Sequence, residues 1–240
     1  MNILITGASK GIGKAIALAF SKEKCHKLFL ISRDEKRLED VKSLCISKYP
    51  DNEVFVFPFD FNDSKDLNGL VSKIINQAGT IDILINNAGS LFNKKFMDLT
   101  DEEIAGMFMV NFFNPARIIR QLIPALEKSK KAHVINIGSM GGFQGSSKFP
   151  GLSYYSASKA AIAVLTECLA IEFNNSDISF NCLALGAVET DMFNEAFPGA
   201  KASFSPEEMA EFIVNFAKRG HLKMNGKIIP ITSKSSFEDY

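Results

Sequence analysis

Short runs of apolar and β-branched residues alternate along this chain with longer segments in which apolar residues recur every three or four positions. The short runs predict seven strands, at Asn2–Thr6, Lys27–Ser32, Glu53–Pro58, Asp82–Asn86, His133–Gly138, Ile178–Ala184 and Lys227–Ile231. The longer segments predict six helices, at Gly11–Lys22, Asp34–Lys48, Asp63–Gln77, Thr100–Glu127, Tyr154–Phe173 and Ser205–Lys218. The segments Phe143–Leu152 and Gly186–Phe204 are predicted to be loops that follow late strands.

Strands that alternate with helices are joined by right-handed crossovers into a parallel sheet that is covered on both faces. Strands of such a sheet are apolar on both sides, and the runs Asn2–Ile5 and His133–Ile137 fit that pattern. No repeat, low-complexity segment or linker divides the chain. We therefore predict an α/β fold with a single domain over residues 1–240, built on a doubly wound parallel sheet of about seven strands with helices on both faces.

The composition indicates a globular protein without a large charged partner. The chain has 240 residues, 46% of them hydrophobic, and it has 27 basic and 27 acidic side chains. A net charge of zero gives no indication of a nucleic-acid partner, and no apolar stretch approaches the roughly 20 residues that a membrane span needs. The four cysteines form no cluster with metal-ligand spacing. We expect a cytoplasmic protein with reduced cysteines, no metal site, and no membrane or nucleic-acid partner.

The first predicted strand runs through a glycine-rich turn directly into the first predicted helix. The turn has the sequence TGASKGIG, and its candidate ligand residues are Gly7, Ser9, Lys10, Gly11, Ile12 and Gly13. Glycines let the backbone approach a pyrophosphate, and the start of a helix offers unpaired N–H groups and a positive dipole end. A tight turn without a ligand is the alternative. The position between strand one and helix one favours a dinucleotide site in a Rossmann-type fold.

The end of the second predicted strand, Ser32-Arg33-Asp34, lies where a dinucleotide fold contacts the adenosine ribose. Ser32 takes the place in which an NAD-binding protein has a carboxylate, and Arg33 follows it. The guanidinium of Arg33 and the ammonium of Lys10 suit the 2′-phosphate of NADP. We therefore expect NADP(H) rather than NAD(H), with Asp34 as the N-cap of the next helix. A solvated Arg33 without a ligand is the alternative.

Tyr155 and Lys159 are four residues apart in a predicted helix, so their side chains lie on one face. A phenol with a pKa near about 10 is a poor base at neutral pH, and a nearby positive charge lowers that pKa. Tyr155 is thus a candidate proton donor to a carbonyl oxygen and acceptor from an alcohol. Tyr154 is the rival, but it lies half a turn away from the face of Lys159.

These motifs resemble those of the short-chain dehydrogenase/reductase family, of the NADP(H)-preferring type, over nearly the whole chain. In order, they are TGASKGIG, the run Asn86–Gly89, Asn111, Ser139, Tyr155 and Lys159. The resemblance implies that Ser139 orients the substrate oxygen, that Lys159 binds the nicotinamide ribose and lowers the pKa of Tyr155, and that Asn111 holds a water of a proton relay. It further implies cofactor contacts at Asp60, Phe61, Asn87, Ala88, Gly89, Gly186, Val188 and Thr190.

Two segments depart from the family pattern. Leu185 replaces the usual Pro before Gly186, so the turn beside the nicotinamide is expected to be looser. The carboxyl terminus lacks the Asp-Gly-Gly ending, which disfavours a keto-acyl reductase of fatty-acid synthesis. The resemblance also implies a homodimer or homotetramer that pairs the two long helices Thr100–Glu127 and Tyr154–Phe173.

The predicted function is NADP(H)-dependent interconversion of a small-molecule carbonyl and alcohol. Segment 186–204 is a candidate substrate lid. Apolar side chains in the loops around the site favour an apolar ketone. They are Phe92, Phe96, Phe143, Phe149, Leu152, Met192, Phe193 and Phe197. The alternative is that most of the 21 phenylalanines belong to the core or to a subunit interface. One rival function is a non-catalytic NADP(H)-binding regulator, and another is a hydrolase that uses Ser139. Ser139 does not lie in a G-x-S-x-G elbow, which disfavours the hydrolase.

Overall fold

A computed structural model describes residues 1–23, 26–63 and 65–233 of the chain. Its strands are β1 (Asn2–Thr6), β2 (Lys27–Ser32), β3 (Glu53–Pro58), β4 (Ile83–Asn86), β5 (Ala132–Ser139), β6 (Ile178–Leu185) and β7 (Lys227–Ile231). They form one parallel sheet in the order β3-β2-β1-β4-β5-β6-β7. The strand order reverses between β1 and β4, which is the topology of a Rossmann-type doubly wound sheet. The predicted fold class is confirmed.

Helices cover both faces of the sheet. They are α1 (Gly11–Ser21), α2 (Glu35–Lys48), α3 (Leu67–Ala78), α4 (Asp101–Phe108), α5 (Asn114–Leu126), α6 (Ser153–Glu172), α7 (Asp191–Ala196) and α8 (Pro206–Arg219). Helices α1, α2 and α8 pack on one face, and α3, α5 and α6 pack on the other. Of the helices in the described ranges, none combines the length and the apolar character that a membrane crossing requires.

Neighbouring residues of the central strands are buried in different halves of the core. Ile3 and Ile5 of β1 belong to the cluster under α1 and α8, whereas Leu4 between them belongs to the cluster under α3 and α5. All three side chains are 0% exposed. This explains why the strands read as continuous apolar runs instead of alternating ones.

The predicted helix Thr100–Glu127 is confirmed in its extent but not in its regularity. It consists of α4 and α5, which are joined without a break by a π-helical turn at Met109–Phe113. Pro115 has no N–H to donate to the carbonyl of Asn111, four residues earlier, so the regular helical hydrogen bonding is interrupted there. Thr100 is the N-cap of α4, and its side chain forms a capping box with Glu103.

Two further boundaries differ from the prediction. The third helix begins at Leu67 instead of Asp63, because the Asp60 carboxylate accepts from the N–H of Asn62 and holds a turn there. The segment 186–204, predicted to be a loop, contains the six-residue helix α7, whose first turn is capped by the Thr190 hydroxyl at 3.2 Å from the N–H of Phe193. A helix this short gives almost no periodic signal in the sequence.

Candidate active site

A cleft of about 1240 Å³ opens at the carboxyl edge of the sheet, where the strand order reverses. The predicted site residues that line it are Gly7, Ser9, Lys10, Gly11, Ile12, Arg33, Asp60, Phe61, Asn87, Ala88, Gly89, Ser139, Tyr155, Lys159, Gly186, Val188 and Thr190. Two predicted residues, Gly13 and Asn111, do not reach the surface of the cleft. The fold thus brings together residues from the ends of the first six strands.

The glycine turn between β1 and α1 fits a pyrophosphate. Gly7 and Gly11 have φ values of 68° and 53°, a region that favours glycine. No side chain caps the start of α1, and its first turn carries no acidic residue, which leaves its N–H groups for an anion. Gly13 acts by packing, because a Cβ there would lie 2.2 Å from the Gly7 carbonyl oxygen.

Hydrogen bonds from the end of β4 fix the shape of this turn. The hydroxyl of Thr6 accepts from the backbone N–H groups of Asn87 and Ala88, both at 3.0 Å. The side-chain amide of Asn87 donates to the carbonyls of Thr6 at 3.0 Å and Gly7 at 3.3 Å. The sequence analysis missed Thr6; a polar residue at the end of an apolar strand was the available signal.

The surroundings of the predicted 2′-phosphate position are basic. Arg33 is exposed and lines the cleft, together with Arg37, which the sequence analysis did not single out. Asp34 is the N-cap of α2, as predicted: it accepts from the N–H of Arg37 at 2.9 Å and pairs with the Arg37 guanidinium at 3.3 Å. Behind them, the hydroxyls of Ser9 and Ser32 are 2.8 Å apart. The position in which an NAD-binding protein has a carboxylate is therefore occupied by the Ser32 hydroxyl.

Ser139 and Tyr155 meet in the cleft. Ser139 is the last residue of β5, and its hydroxyl accepts from the N–H of Gly141 at 3.1 Å. Ser139 thus caps the following turn, and it also lies close enough to the Tyr155 hydroxyl to lower the pKa of Tyr155. Tyr154 instead stacks on Phe96, with ring centroids 5.1 Å apart and planes at 8°.

Burial raises the pKa of Tyr155 above its ordinary value, and the nearby Ser139 hydroxyl offsets part of that effect. The direction is opposite to the lowered pKa that the sequence predicted. The reason lies in Lys159, whose ammonium is 2.8 Å from the carbonyl of Ile137 and is directed at the sheet. Lys159 is itself only 5% exposed, and this burial lowers its pKa to about 8.

Asn111 lies in the π-helical turn, 2% exposed, and its side chain is fully engaged with the protein. Its carbonyl oxygen accepts from the N–H of Ser90 at 2.8 Å, and its amide donates to the Ser90 carbonyl at 2.8 Å and to the Ser158 hydroxyl at 3.0 Å. Ser158 in turn donates to the Tyr155 carbonyl at 2.7 Å. The sequence analysis missed Ser158, although it lies between Tyr155 and Lys159.

The turn after β6 is held by β7. Leu185, which stands where the family pattern has Pro, is paired with Ile231, and the N–H of Gly186 donates to the Ile231 carbonyl at 2.8 Å. The backbone ladder thus supplies order that the missing proline ring does not. Beyond the turn, Val188 is 5% exposed and forms a bridge with Phe204.

Apolar side chains make up much of the rest of the cleft lining. Those predicted from the sequence are Phe92, Phe149, Leu152, Met192, Phe193 and Phe197, and Met140 and Phe204 join them. Phe96 lines a neighbouring groove, and Phe143 lines neither space. The tip of Met192 would lie 3.8 Å from a Cβ added at Gly89, which places this side chain beside Lys159.

The family model described as short chain dehydrogenase matches residues 1–201 of this chain. The chain belongs to the short-chain dehydrogenase family. As a short-chain dehydrogenase it is an oxidoreductase with a Rossmann fold, and of the motifs that carried the resemblance all but Asn111 contribute residues to the lining of the cleft.

Relatives of this short-chain dehydrogenase include an NADP-dependent 3-hydroxy acid dehydrogenase from Schizosaccharomyces pombe, 32% identical over 225 residues that cover 88% of this chain and 85% of the relative. Dehydrogenase/reductase SDR family member 7B from Xenopus laevis is 31% identical over 228 residues, 88% of this chain and 69% of that protein. The structure of L-sorbose reductase from Gluconobacter frateurii, complexed with NADPH and L-sorbose, has a TM-score of 0.84 at 25% identity and covers 96% of this chain and 94% of that one.

Proposed function

We propose that this short-chain dehydrogenase interconverts a carbonyl and an alcohol with NADP(H), in the direction of carbonyl reduction, and that Tyr155 is its proton donor. The observation that carries the proposal is that Tyr155 and Ser139 line one cleft together with a glycine turn that fits a pyrophosphate. A carbonyl oxygen that accepts from both hydroxyls lies where the proton is needed. A raised pKa keeps Tyr155 protonated, which suits proton donation.

NADP(H), rather than NAD(H), is supported by the basic residues and by the relatives. Arg33 and Arg37 line the cleft, and Asp34 is occupied as a helix cap. The Schizosaccharomyces pombe relative is named NADP-dependent, and the L-sorbose reductase structure contains NADPH. The bound nicotinamide supplies the hydride.

Each catalytic residue has a distinct role in this proposal. Ser139 donates to the substrate oxygen and holds it against Tyr155, which transfers its proton to that oxygen. Lys159 binds the nicotinamide ribose with the ammonium that the Ile137 carbonyl holds at 2.8 Å. Asn111 ties the loop after β4 to α6 through Ser158 and so positions both groups.

A substrate lid and an oligomeric assembly are also part of the proposal. Segment 186–204 acts as a substrate lid, since Asn93 donates to the Ala196 carbonyl at 2.7 Å and joins α7 to the opposite wall. A homodimer or homotetramer is supported by exposed apolar side chains on α6, namely Val164 at 56% and Ile171 at 74%. A single domain over residues 1–240, a cytoplasmic location and a small-molecule substrate stay predictions from the sequence.

The first experiment is titration of NADPH and NADH, followed by nucleotide fluorescence, in the wild type and in Arg33→Asp. We expect NADPH to bind at least about tenfold more tightly, because a bidentate guanidinium–phosphate contact is strong, and the substitution to erase that preference. Tighter binding of NADH by the wild type, or binding of neither nucleotide, contradicts the proposal.

The second experiment is a screen of carbonyl compounds with NADPH, using Tyr155→Phe and Tyr154→Phe as a matched pair. Both variants remove one hydroxyl from adjacent residues of α6. We expect Tyr155→Phe to lose reductase activity and Tyr154→Phe to keep it. Retention of activity by Tyr155→Phe would refute the assignment of the proton donor.

A further inference from the structure

A groove of about 580 Å³ lies next to the cleft, beside the first turn of α6. It shares Phe149 and Leu152 with the lining of the cleft, so the two spaces meet at these side chains. Ser156, the residue after Tyr155, lines the groove as well. The groove therefore adjoins the cleft that contains Tyr155.

Two aromatic rings form the apolar walls of the groove and are unusually open to solvent. Phe96 is 58% exposed and Phe149 is 59% exposed. Phe96 is held in place because one face of its ring stacks on Tyr154, which leaves its other surface available. Exposed aromatic surface at a groove that continues an enzyme cleft is typical of a binding surface for an apolar chain.

The charged residues that line the groove are both basic. Lys148 donates to the carbonyl of Phe143 at 2.6 Å and to the hydroxyl of Ser146 at 2.8 Å, which orients its ammonium. Within the described residues, neither Lys148 nor Lys95 has a carboxylate within ion-pair distance. Lys94, by contrast, is neutralised by Glu103 at 2.5 Å.

We propose that this groove holds the far end of the substrate, an apolar chain that ends in an anionic group between Lys95 and Lys148. The inference rests on the proposed function, since it needs the carbonyl of the same molecule at Tyr155. It narrows the substrate class from any ketone to an amphiphilic oxo compound with a carboxylate or a phosphate at its distal end. A neutral sugar or a short neutral ketone would contact neither the two lysines nor the rings of Phe96 and Phe149.

The test of the substrate class is reduction by NADPH of methyl ketones that carry a carboxylate at the other end of chains of increasing length. Each acid is compared with its methyl ester. We expect kcat/KM to favour the acid by about fivefold to tenfold at the best chain length, because two exposed ion pairs each contribute little. A second arm compares oxoacyl thioesters of coenzyme A with those of neutral N-acetylcysteamine, which separates a phosphate from a carboxylate source.

Variants assign the effect to the groove. The double substitution Lys95→Gln with Lys148→Gln is expected to reduce the acid-to-ester ratio, or the coenzyme A preference, to about one. Lys94→Gln is the matched control: it removes the neighbouring lysine, which is already paired with Glu103, and is expected to keep the ratio. A ratio of one in the wild type for both arms, or an unchanged ratio in the double variant, overturns the inference.

A binding measurement separates this inference from the proposed function. Decanoate and methyl decanoate, which have no reducible ketone, are titrated calorimetrically into the wild type and the double variant. Decanoate binding that depends on the two lysines, without reduction of any ketone, supports the groove and refutes the proposed function. Ketone reduction that does not prefer the acid over its ester, or the coenzyme A thioester over the neutral one, supports the proposed function and refutes anion binding in the groove. Absence of both refutes both.

Discussion

The ammonium of Lys10 lies 3.1 Å from a carboxylate oxygen of Asp191, so an ion pair joins the glycine turn to the first residue of α7 across the cleft. Both side chains are well exposed, at 45% and 61%. Beside this pair, a Cβ added at Gly11 would lie 3.3 Å from the Thr190 methyl group, so the two segments are also in near contact. A 2′-phosphate bound by Lys10 would therefore compete with Asp191 for its ammonium.

We predict that Asp191→Asn strengthens NADPH binding by about twofold to fivefold and leaves NADH binding unchanged, because an exposed ion pair is worth little and its loss frees Lys10. Fluorescence titration of both nucleotides is the measurement. Glu53→Gln is the control, since it removes one negative charge from a pair with Lys27 at the opposite edge of the sheet. Equal changes for NADPH and NADH would mean that Lys10 does not contact the 2′-phosphate.

We predict that the buried charge of Lys159 lowers the stability of the folded protein, although the proposed reaction needs this residue. Burial lowers its pKa to about 8 from the ordinary 10.5, so the folded chain disfavours its protonated form. Below pH 8 this penalty is fully present, and it declines as the pH rises towards 10.5. We expect Lys159→Met to abolish reduction and yet raise the free energy of unfolding at pH 7 by about 1–2 kcal/mol, after the loss of the bond to Ile137 is subtracted.

Chemical unfolding of the nucleotide-free protein measures this effect. Lys73→Met, on the exposed side of α3, is the control and is expected to change stability by less than about 0.5 kcal/mol. A less stable Lys159→Met protein would show that the bond to the Ile137 carbonyl outweighs the cost of burying the charge.

His133 predicts a loss of stability in acid. Its ring is 0% exposed; Nδ1 donates to the Ala217 carbonyl at 3.0 Å, and Nε2 accepts from Asn181 at 2.9 Å. Protonation of Nε2 breaks the second bond, and burial lowers the pKa of His133 to about 4, with a further contribution from neighbouring His221. Between pH 4 and about 6.5 the unfolded chain binds more protons, so stability falls as the pH falls through this window.

The expected loss from His133 is on the order of 3 kcal/mol at pH 4. Urea unfolding at several pH values checks it, and His133→Gln, which can keep both hydrogen bonds, is expected to flatten the profile. His26→Gln is the comparison: burial lowers the pKa of His26, while the Glu23 carboxylate opposes that shift. An unchanged acid profile in His133→Gln would assign the loss to other groups.

We predict that subunits associate through the face of α6 that contains Ile171. Ile171 is 74% exposed on α6, two turns from the exposed Val164, so the two side chains form one apolar face. Ile171→Asp is expected to convert the oligomer to monomers in sedimentation velocity, because burying an unpaired carboxylate opposes association. Leu44→Asp, on α2, is the control. An oligomer that persists in Ile171→Asp would exclude this face of α6.

Most of the fold could be predicted because strands and helices of a two-faced parallel sheet leave strong apolar patterns. All seven strands occur within one residue of their predicted ends. The π-helical turn at Met109–Phe113 was missed although Pro115 stands in the sequence, since the apolar spacing continues through it. Helix α7 was missed because its six residues depend on the Thr190 cap and on contacts with other loops.

The candidate site was predictable where it is carried by short motifs on known elements, as for Ser139 and Tyr155. Thr6 and Ser158 were missed because their roles depend on hydrogen bonds to distant residues, such as Asn111. The direction of the pKa of Tyr155 was wrong, since the sequence shows that Lys159 is on the same face but not that its ammonium points at the sheet.

The hydrogen bonds of Thr6 also bear on the stage of synthesis at which the chain can first bind a nucleotide. Its partners, Asn87 and Ala88, follow 81 and 82 positions later in the chain. A growing chain that has released only the first strand, turn and helix lacks the groups that fix the carbonyls of Thr6 and Gly7. We therefore expect a chain truncated before β4 to bind NADPH more weakly than the full chain.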